Sequence, residues 1–278
     1  AWMAGVPVRV VTITGLGHAF TSGSGLLRRI VESLYRFALA RADIVFFQNR
    51  DDRDLFLERR LVSPSRVRLV AGSGVDLSRF EVKPLPYLSG DRPKFVMVAR
   101  LLREKGIAEY IDAADRVKRS FPNVELDLVG GLDARNPSGF TEEEFRNLNS
   151  RGSVNWVGEV EDVRPYIAAA DVVVLPSYRE GVPRSLLEGA AMGRALIATD
   201  AVGCREVVKD GLTGYSVPVA NSTALAQAMC RLVENPDMIS QFGDAARMHV
   251  EEYFDERTVI GQTIRAYEEL ISRKVANA

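Results

Sequence analysis

Short β-branched runs alternate with amphipathic stretches along most of this chain. That alternation predicts parallel strands joined by helices that cover both faces of a sheet. The clearest run is Asp171-Val172-Val173-Val174-Leu175, an uninterrupted apolar strand of the kind buried on both sides. The runs fall into two groups. In the first, strands are expected at Val8 to Ile13, Ile44 to Phe47 and Val67 to Val70, with helices from about Ser24 to Arg41 and Asp51 to Arg60. Residues 81–93 carry three prolines and a glycine and are expected to form a linker. In the second, strands are expected at Phe95 to Ala99, Glu125 to Val129, Val154 to Val157, Val172 to Leu175, Ala195 to Thr199 and Tyr215 to Val217. A helix from Ser222 stops at Glu234 because Asn235-Pro236 follows; helices over Asp237 to Tyr253 and Asp255 to Lys274 close the chain.

The expected fold is therefore α/β with two doubly wound domains: a partial one over 1–80 and a complete one over 94–254. The last helix, within 255–278, is expected to pack back on the first domain. Residue 1 is alanine and a strand begins almost at once, so an N-terminal piece is expected to be missing.

Composition narrows the function classes. The chain has 278 residues, 46% of them hydrophobic, enough for a substantial core. Its 36 basic and 37 acidic residues leave a net charge of −1, which excludes the basic excess typical of nucleic-acid binders and favours a small-molecule ligand. Cys204 and Cys230 sit in apolar contexts without metal spacing and read as reduced core thiols, and a cytoplasmic location is expected. The histidines, His18 and His249, are too far apart in sequence to suggest a metal site, and no Ser-His-Asp or Cys-His arrangement appears. No cofactor is called for.

The segment Pro176 to Gly193 carries the most chemistry. A strand, a turn containing Glu180-Gly181-Val182-Pro183 and then a helix aim backbone N–H groups and the positive end of a helix dipole at one point, which suits a phosphate. Ser185 is the expected helix cap. Glu180 in the turn would accept from neutral sugar hydroxyls, and Glu188, deeper in the helix, from a vicinal diol such as a ribose. Two glutamates alone would read as solvated charge; their setting points to a sugar nucleotide. Ligands in such sheets sit at the carboxyl ends of strands. Arg100 and Lys105 follow the Phe95 strand and could neutralise a diphosphate. Gly130 could admit a close backbone approach, and the main chain to Val160 could read a base edge. Trp156 is expected in the core. Thr14, His18 and Gly74 are candidates for the acceptor or sugar side. The helix near Ser24 mixes Arg28, Arg29, Arg36 and Arg41 with apolar residues: it either lies on an anionic bilayer or packs with a solvated basic face.

With these residues in view, the chain resembles glycosyltransferase family 4, with its GT-B architecture of two Rossmann-like domains facing across a cleft. Glu180 to Glu188 matches the family's Glu-x7-Glu motif, and Arg100 with Lys105 matches its basic pair. Gly74-Val75-Asp76 matches the end of an Asn-Gly-Val-Asp turn, with Ser73 in place of the asparagine. Thr14 to Phe20 echoes a Thr-Gly-Leu-Gly-aromatic-Phe segment of bacterial transferases that build capsule, O-antigen or glycan-lipid chains.

The resemblance implies a retaining transfer, without a metal, of a hexose or N-acetylhexosamine from a nucleotide sugar, UDP-linked by expectation. The acceptor would be a glycan or a polyprenyl-diphosphate-linked glycan. Arg100 and Lys105 would hold the donor diphosphate, Glu180 the sugar, Gly181 to Pro183 the phosphate and Glu188 the ribose. Thr14 stands where many family members have a histidine, with His18 four residues on. Without an N-terminal piece, the chain is expected to bind a uridine nucleotide but transfer poorly. A location at the inner face of the cytoplasmic membrane would follow from a lipid-linked acceptor. A sugar-nucleotide epimerase or hydrolase of the same fold, and a noncatalytic nucleotide-sugar-binding module, stay open as alternatives.

Overall fold

In the computed structural model, which describes residues 4–16, 25–89, 92–133 and 135–276, every paired strand is parallel to its neighbour. The chain divides into two units, Ala1–Gly74 with Phe254–Ala278, and Val75–Tyr253.

The first unit has a three-stranded sheet, β1 (Val10–Ile13), β2 (Ile44–Phe47) and β3 (Val67–Leu69), in that order. Helix α1 (Gly25–Leu39) joins β1 to β2, and α2 (Arg50–Glu58) leads from β2 towards β3. The four apolar residues of β2 follow from burial on both faces. Val45 and Phe47 pack with Leu39, Phe56 and Leu61 on one side. Ile44 and Phe46 meet Ala266 and Leu270 of α10 (Glu256–Ala276) on the other. Helix α2 starts earlier than the acidic residues suggested, because Asn49 is its cap: the Asn49 side chain accepts from the Asp52 N–H at 2.8 Å.

The second unit is a six-stranded sheet in the order β6-β5-β4-β7-β8-β9. Its strands are β4 (Phe95–Val98), β5 (Leu126–Val129), β6 (Asn155–Gly158), β7 (Val172–Leu175), β8 (Ala195–Thr199) and β9 (Gly214–Val217). All of β7 and β8 is buried, as their unbroken apolar runs require. The order reverses direction between β4 and β7, which makes their carboxyl ends the switch point of the sheet. Between the strands run α3 (Ile107–Ser120), α4 (Glu142–Leu148), α5 (Arg164–Ala168), α6 (Arg184–Ala191) and α7 (Cys204–Val207); α8 (Ser222–Glu234) and α9 (Asp237–Tyr253) follow β9. Helix α6 lies close on β7: a Cβ at Gly189 would stand 2.6 Å from the Val173 side chain.

Residues 81–93, read from their prolines as a linker, lie within the second unit. Distant polar side chains bind this segment. Arg194, fully buried, donates to the Pro84 and Lys83 carbonyls at 3.1 and 3.0 Å. Asp171 accepts from the Tyr87 and Lys94 N–H groups at 3.0 and 2.8 Å. These contacts satisfy backbone groups that a solvated linker would leave to water. Trp156 is only half-buried; its indole N–H donates to the Gly130 carbonyl at 2.9 Å, and its ring packs on Phe145.

Candidate donor site

The loops after β4, β7 and β8 are clasped together at the switch point. Glycines at positive φ make the clasp. Gly106 (φ 74°) closes the loop after β4, and a Cβ there would stand 2.2 Å from the Pro176 carbonyl oxygen. Gly203 (φ 83°), after β8, brings the carbonyl oxygens of Gly181 and Glu180 within 2.4 and 2.5 Å of where its Cβ would be. No L side chain fits either place without displacing main chain. Two hydrogen bonds complete the arrangement. Tyr178 N–H donates to the Glu104 carbonyl at 2.8 Å, and Glu180 N–H to the Val202 carbonyl at 2.9 Å.

This clasp sets Lys105 against Glu180, with the ammonium nitrogen 2.5 Å from Oε1 and the two side chains only 22% and 12% exposed. At this separation the Coulomb attraction is about 7 kcal/mol at an effective dielectric of 20. Desolvation offsets much of it, so the pair is better understood as fixed charge than as a source of stability. Lys105 also neutralises Glu180 locally, so this carboxylate repels a nearby anion less.

The helix cap differs from expectation. Helix α6 begins at Arg184 with Pro183 in the cap position (φ −74°, ψ 118°), and no side-chain cap hydrogen bond is made. Ser185 is already the second helical residue. Proline holds the extended cap conformation by its own ring, and the first intrahelical bond runs from Leu187 N–H to the Pro183 carbonyl at 3.2 Å. The amides of Arg184, Ser185 and Leu186 thus precede the ladder and point out of the helix start, where an anionic oxygen can accept from them.

Glu188, one turn further on and buried, pairs with Arg184 at 3.3 Å. Burial raises its carboxyl above the usual carboxylate range, and the Arg184 charge and hydrogen bond pull it part of the way back, with a smaller contribution from Arg79. Arg184 was missed in the sequence, although its spacing of four residues from Glu188 was a readable signal.

Arg100 follows β4 and pairs with Asp133 at 3.2 Å, its side chain 64% exposed. An ion pair this open is worth less than about 1 kcal/mol, so exchanging Asp133 for a phosphate costs little. Gly130 (φ 153°) ends β5 where a Cβ would lie 1.8 Å from the Ala99 carbonyl oxygen. Its N–H donates to the Gly158 carbonyl at 2.8 Å, so packing between strand ends accounts for this glycine. Val160 is half-buried in the loop after β6, and Val182 in the loop before α6. Arg100, Lys105, Gly130, Val160, Glu180, Gly181, Val182, Pro183, Ser185 and Glu188 all belong to the second unit.

Thr14 and Gly74 belong to the first unit. Thr14 is exposed. Gly74 (φ 71°) abuts the start of α10, where a Cβ would meet the Glu256 Cα at 2.5 Å. His18 lies outside the described residues. Cys204 is a buried thiol whose pKa is pushed up to about 12 by burial and by the nearby Glu180 charge, so it offers no thiolate nucleophile. Both cysteines are free. His249 meets the Glu206 carbonyl at 3.0 Å, on α9. Among the described residues, no helix is long and apolar enough to cross a membrane.

Fixed cations, a helix start without a side-chain cap and two carboxylates thus gather near the switch point of one parallel sheet in an α/β protein. Comparison with known proteins makes the class specific. Residues 92–235 match the family model described as glycosyl transferases group 1, and the chain belongs to that family. It is 28% identical over 281 residues to the N,N'-diacetylbacillosaminyl-diphospho-undecaprenol α-1,3-N-acetylgalactosaminyltransferase of Campylobacter jejuni, covering 96% of this chain and 72% of that protein. It is 32% identical to the α-maltose-1-phosphate synthase of Mycolicibacterium smegmatis, over 94% of this chain and 70% of that one. The structure of Anabaena HepE in complex with UDP shares the fold, with a TM-score of 0.81 at 20% identity over 96% of this chain and 73–74% of that one. The chain is a glycosyltransferase.

Proposed function

We propose that the protein is a family 4 transferase that moves a hexose or N-acetylhexosamine, with retention, from a UDP-sugar to a glycan or lipid-linked glycan in cell-surface polysaccharide synthesis. The observation that carries this reading is the Lys105–Glu180 contact at the switch point, beside a helix start with no side-chain cap. In this reading the donor diphosphate lies along Arg100, Lys105 and the amides of Gly181 to Ser185. Glu180 accepts from sugar hydroxyls, Glu188 from the ribose diol, and the main chain near Gly130 and Val160 meets the base. As the bond from the anomeric carbon to the phosphate oxygen breaks, positive charge grows on the sugar and negative charge on the departing diphosphate. Cations fixed beforehand stabilise that charge without reorganising. No metal ion is assigned a role. The lipid-linked acceptor in the name of the Campylobacter relative supports an acceptor of the same class.

A thermal-shift panel of UDP, GDP and ADP sugars should show stabilisation by UDP-sugars alone, and NMR of the product should show an α-linkage from an α-linked donor. Stabilisation by none of the nucleotides would sink the reading. Free sugar released as fast as donor is consumed, with acceptor present, would make the protein a hydrolase.

The environment of Glu188 adds a pH dependence. Because its folded-state pKa is raised, the stability it contributes is fully present below the unfolded-state value and lost as pH rises through the folded value. Binding runs the other way, since only the ionised carboxylate accepts both hydrogen bonds from a diol. UDP affinity should therefore weaken on acidification through a value above the ordinary glutamate range. Calorimetric titrations across pH should show this limb in the parent and a flat response in Glu188→Gln; the same limb in both would reject the assignment.

A further inference from the structure

The second unit has a further cavity, of about 520 Å³, lined by residues of α3, α4 and the loops after β4 and β7. Neither Glu180 nor Glu188 lines it. Ala108, Phe140 and Leu148 give it apolar walls, and polar groups come from Arg103, Glu109 and Asn147. A concave site of this size with a few convergent polar groups suits a small ligand. The Arg103 guanidinium lies over the Phe140 ring, 4.5 Å from its centre, and pairs with Glu144 at 2.6 Å.

Glu109 is the group that asks for a ligand. Its Oε1 accepts from the Tyr178 hydroxyl at 2.6 Å. Its Oε2 is buried and has no hydrogen-bond partner among the described residues. A buried acceptor left unsatisfied is costly, and a ligand that donates to it removes the cost. The terminal torsion of a glutamate is broad and roughly two-fold, so a modest turn presents Oε2 to the cavity. Tyr178 stays a hydroxyl donor, because burial and its bond to Glu109 push its pKa up to about 12. The residue is 40% exposed, which leaves a flat apolar face open to a ligand.

We propose that this cavity is a saccharide subsite that seats one uncharged pyranose, its C–H face on the Tyr178 ring and a hydroxyl donating to Glu109. A pyranose is apolar across its C–H face and carries donors and acceptors around its rim. The cavity answers both: aromatic and aliphatic walls stand beside Asn147, which donates and accepts, and Glu144, which accepts. Its charges disfavour an ionic occupant, since Arg103 opposes a cation and the two carboxylates oppose an anion. Two positions separate Arg103 from Lys105, and Tyr178 from Glu180, which is at most about 7 Å of chain. A saccharide held here therefore lies beside the lysine–glutamate pair. That it belongs to the acceptor glycan rests on the proposed reaction; the subsite itself does not.

Titration with N,N'-diacetylchitobiose and with maltose, both uncharged, followed by saturation-transfer difference NMR with and without excess UDP, tests the assignment. At least one disaccharide should bind, with the same affinity whether or not UDP is present. Glu109→Gln should weaken that binding about tenfold, as expected for one hydrogen bond to a charged acceptor. Its thermal midpoint should be unchanged or higher, because a buried charge without a full set of partners is removed, and its UDP affinity should match the parent's. Tyr178→Ala should also weaken saccharide binding about tenfold, by removing the aromatic face. Binding of neither disaccharide, displacement of the saccharide by UDP, or affinity untouched in both variants would overturn the proposal. So would binding of spermidine in place of either sugar, or loss of UDP affinity in Glu109→Gln, which would make the cavity part of the donor site. If the parent binds no UDP, the donor assignment fails while the disaccharide titrations still decide the subsite.

Discussion

Lys105→Met is expected to lower turnover at saturating donor by about 10²- to 10³-fold, the range found when one preorganised group that stabilises developing charge is removed. Lys105 is the better buried of the two candidate cations, 22% exposed against 64% for Arg100, so water screens it less. The variant also leaves the Glu180 carboxylate, 12% exposed, without its partner, which costs stability by itself. The double variant Lys105→Met with Glu180→Gln separates the two effects. Its unfolding midpoint should recover towards that of the parent while turnover stays low. Recovery of turnover along with stability would show that Lys105 only supports the fold, and unchanged turnover in the single variant would remove it from the chemistry altogether.

A methyl group at Gly203 should be nearly as damaging. Gly203→Ala drives a Cβ against the main-chain oxygens of Gly181 and Glu180 at 2.4 and 2.5 Å, with φ at 83°. Left-handed strain of about 1–2 kcal/mol adds to overpacking of about 1–3 kcal/mol. Gly211 supplies the control, since its φ is 71° and nothing lies within 4 Å of an added Cβ. Urea unfolding should show Gly211→Ala losing only the strain, and Gly203→Ala losing about 2–5 kcal/mol in all. Residual folded Gly203→Ala should also bind nucleotide more weakly, because its shift displaces Glu180. Equal losses in the two variants would mean the loops yield without cost and are not clasped.

The strands were readable because a both-faces-buried strand writes itself as a local apolar run. Ile44–Phe47, Val172–Leu175 and Ala195–Thr199 appear with the limits their residues suggest. Helices α8 and α9 were equally legible, since Asn221 caps the first and Pro236 stands before the second. The site divides in the same way. The candidates Arg100, Lys105 and Glu180 stand out by following a strand end within seven residues, and Glu188 by its spacing of eight from Glu180. Asp133 and the carbonyls of Glu104 and Val202 do not, since a contact partner far away in sequence, or a backbone oxygen, leaves no mark in the local pattern. Prolines in residues 81–93 were legible as punctuation, but not as cargo held by Arg194 and Asp171, which lie about 80–110 residues away in sequence.

The clasp at the switch point is made of main chain: glycines 106 and 203 receive carbonyl oxygens, and two amides donate to carbonyls. Side chains such as Tyr178, Val182 and Arg184 project from that frame without building it. In the proposed donor site, substitutions at those positions would change the surface offered to the sugar while the main-chain frame kept its shape.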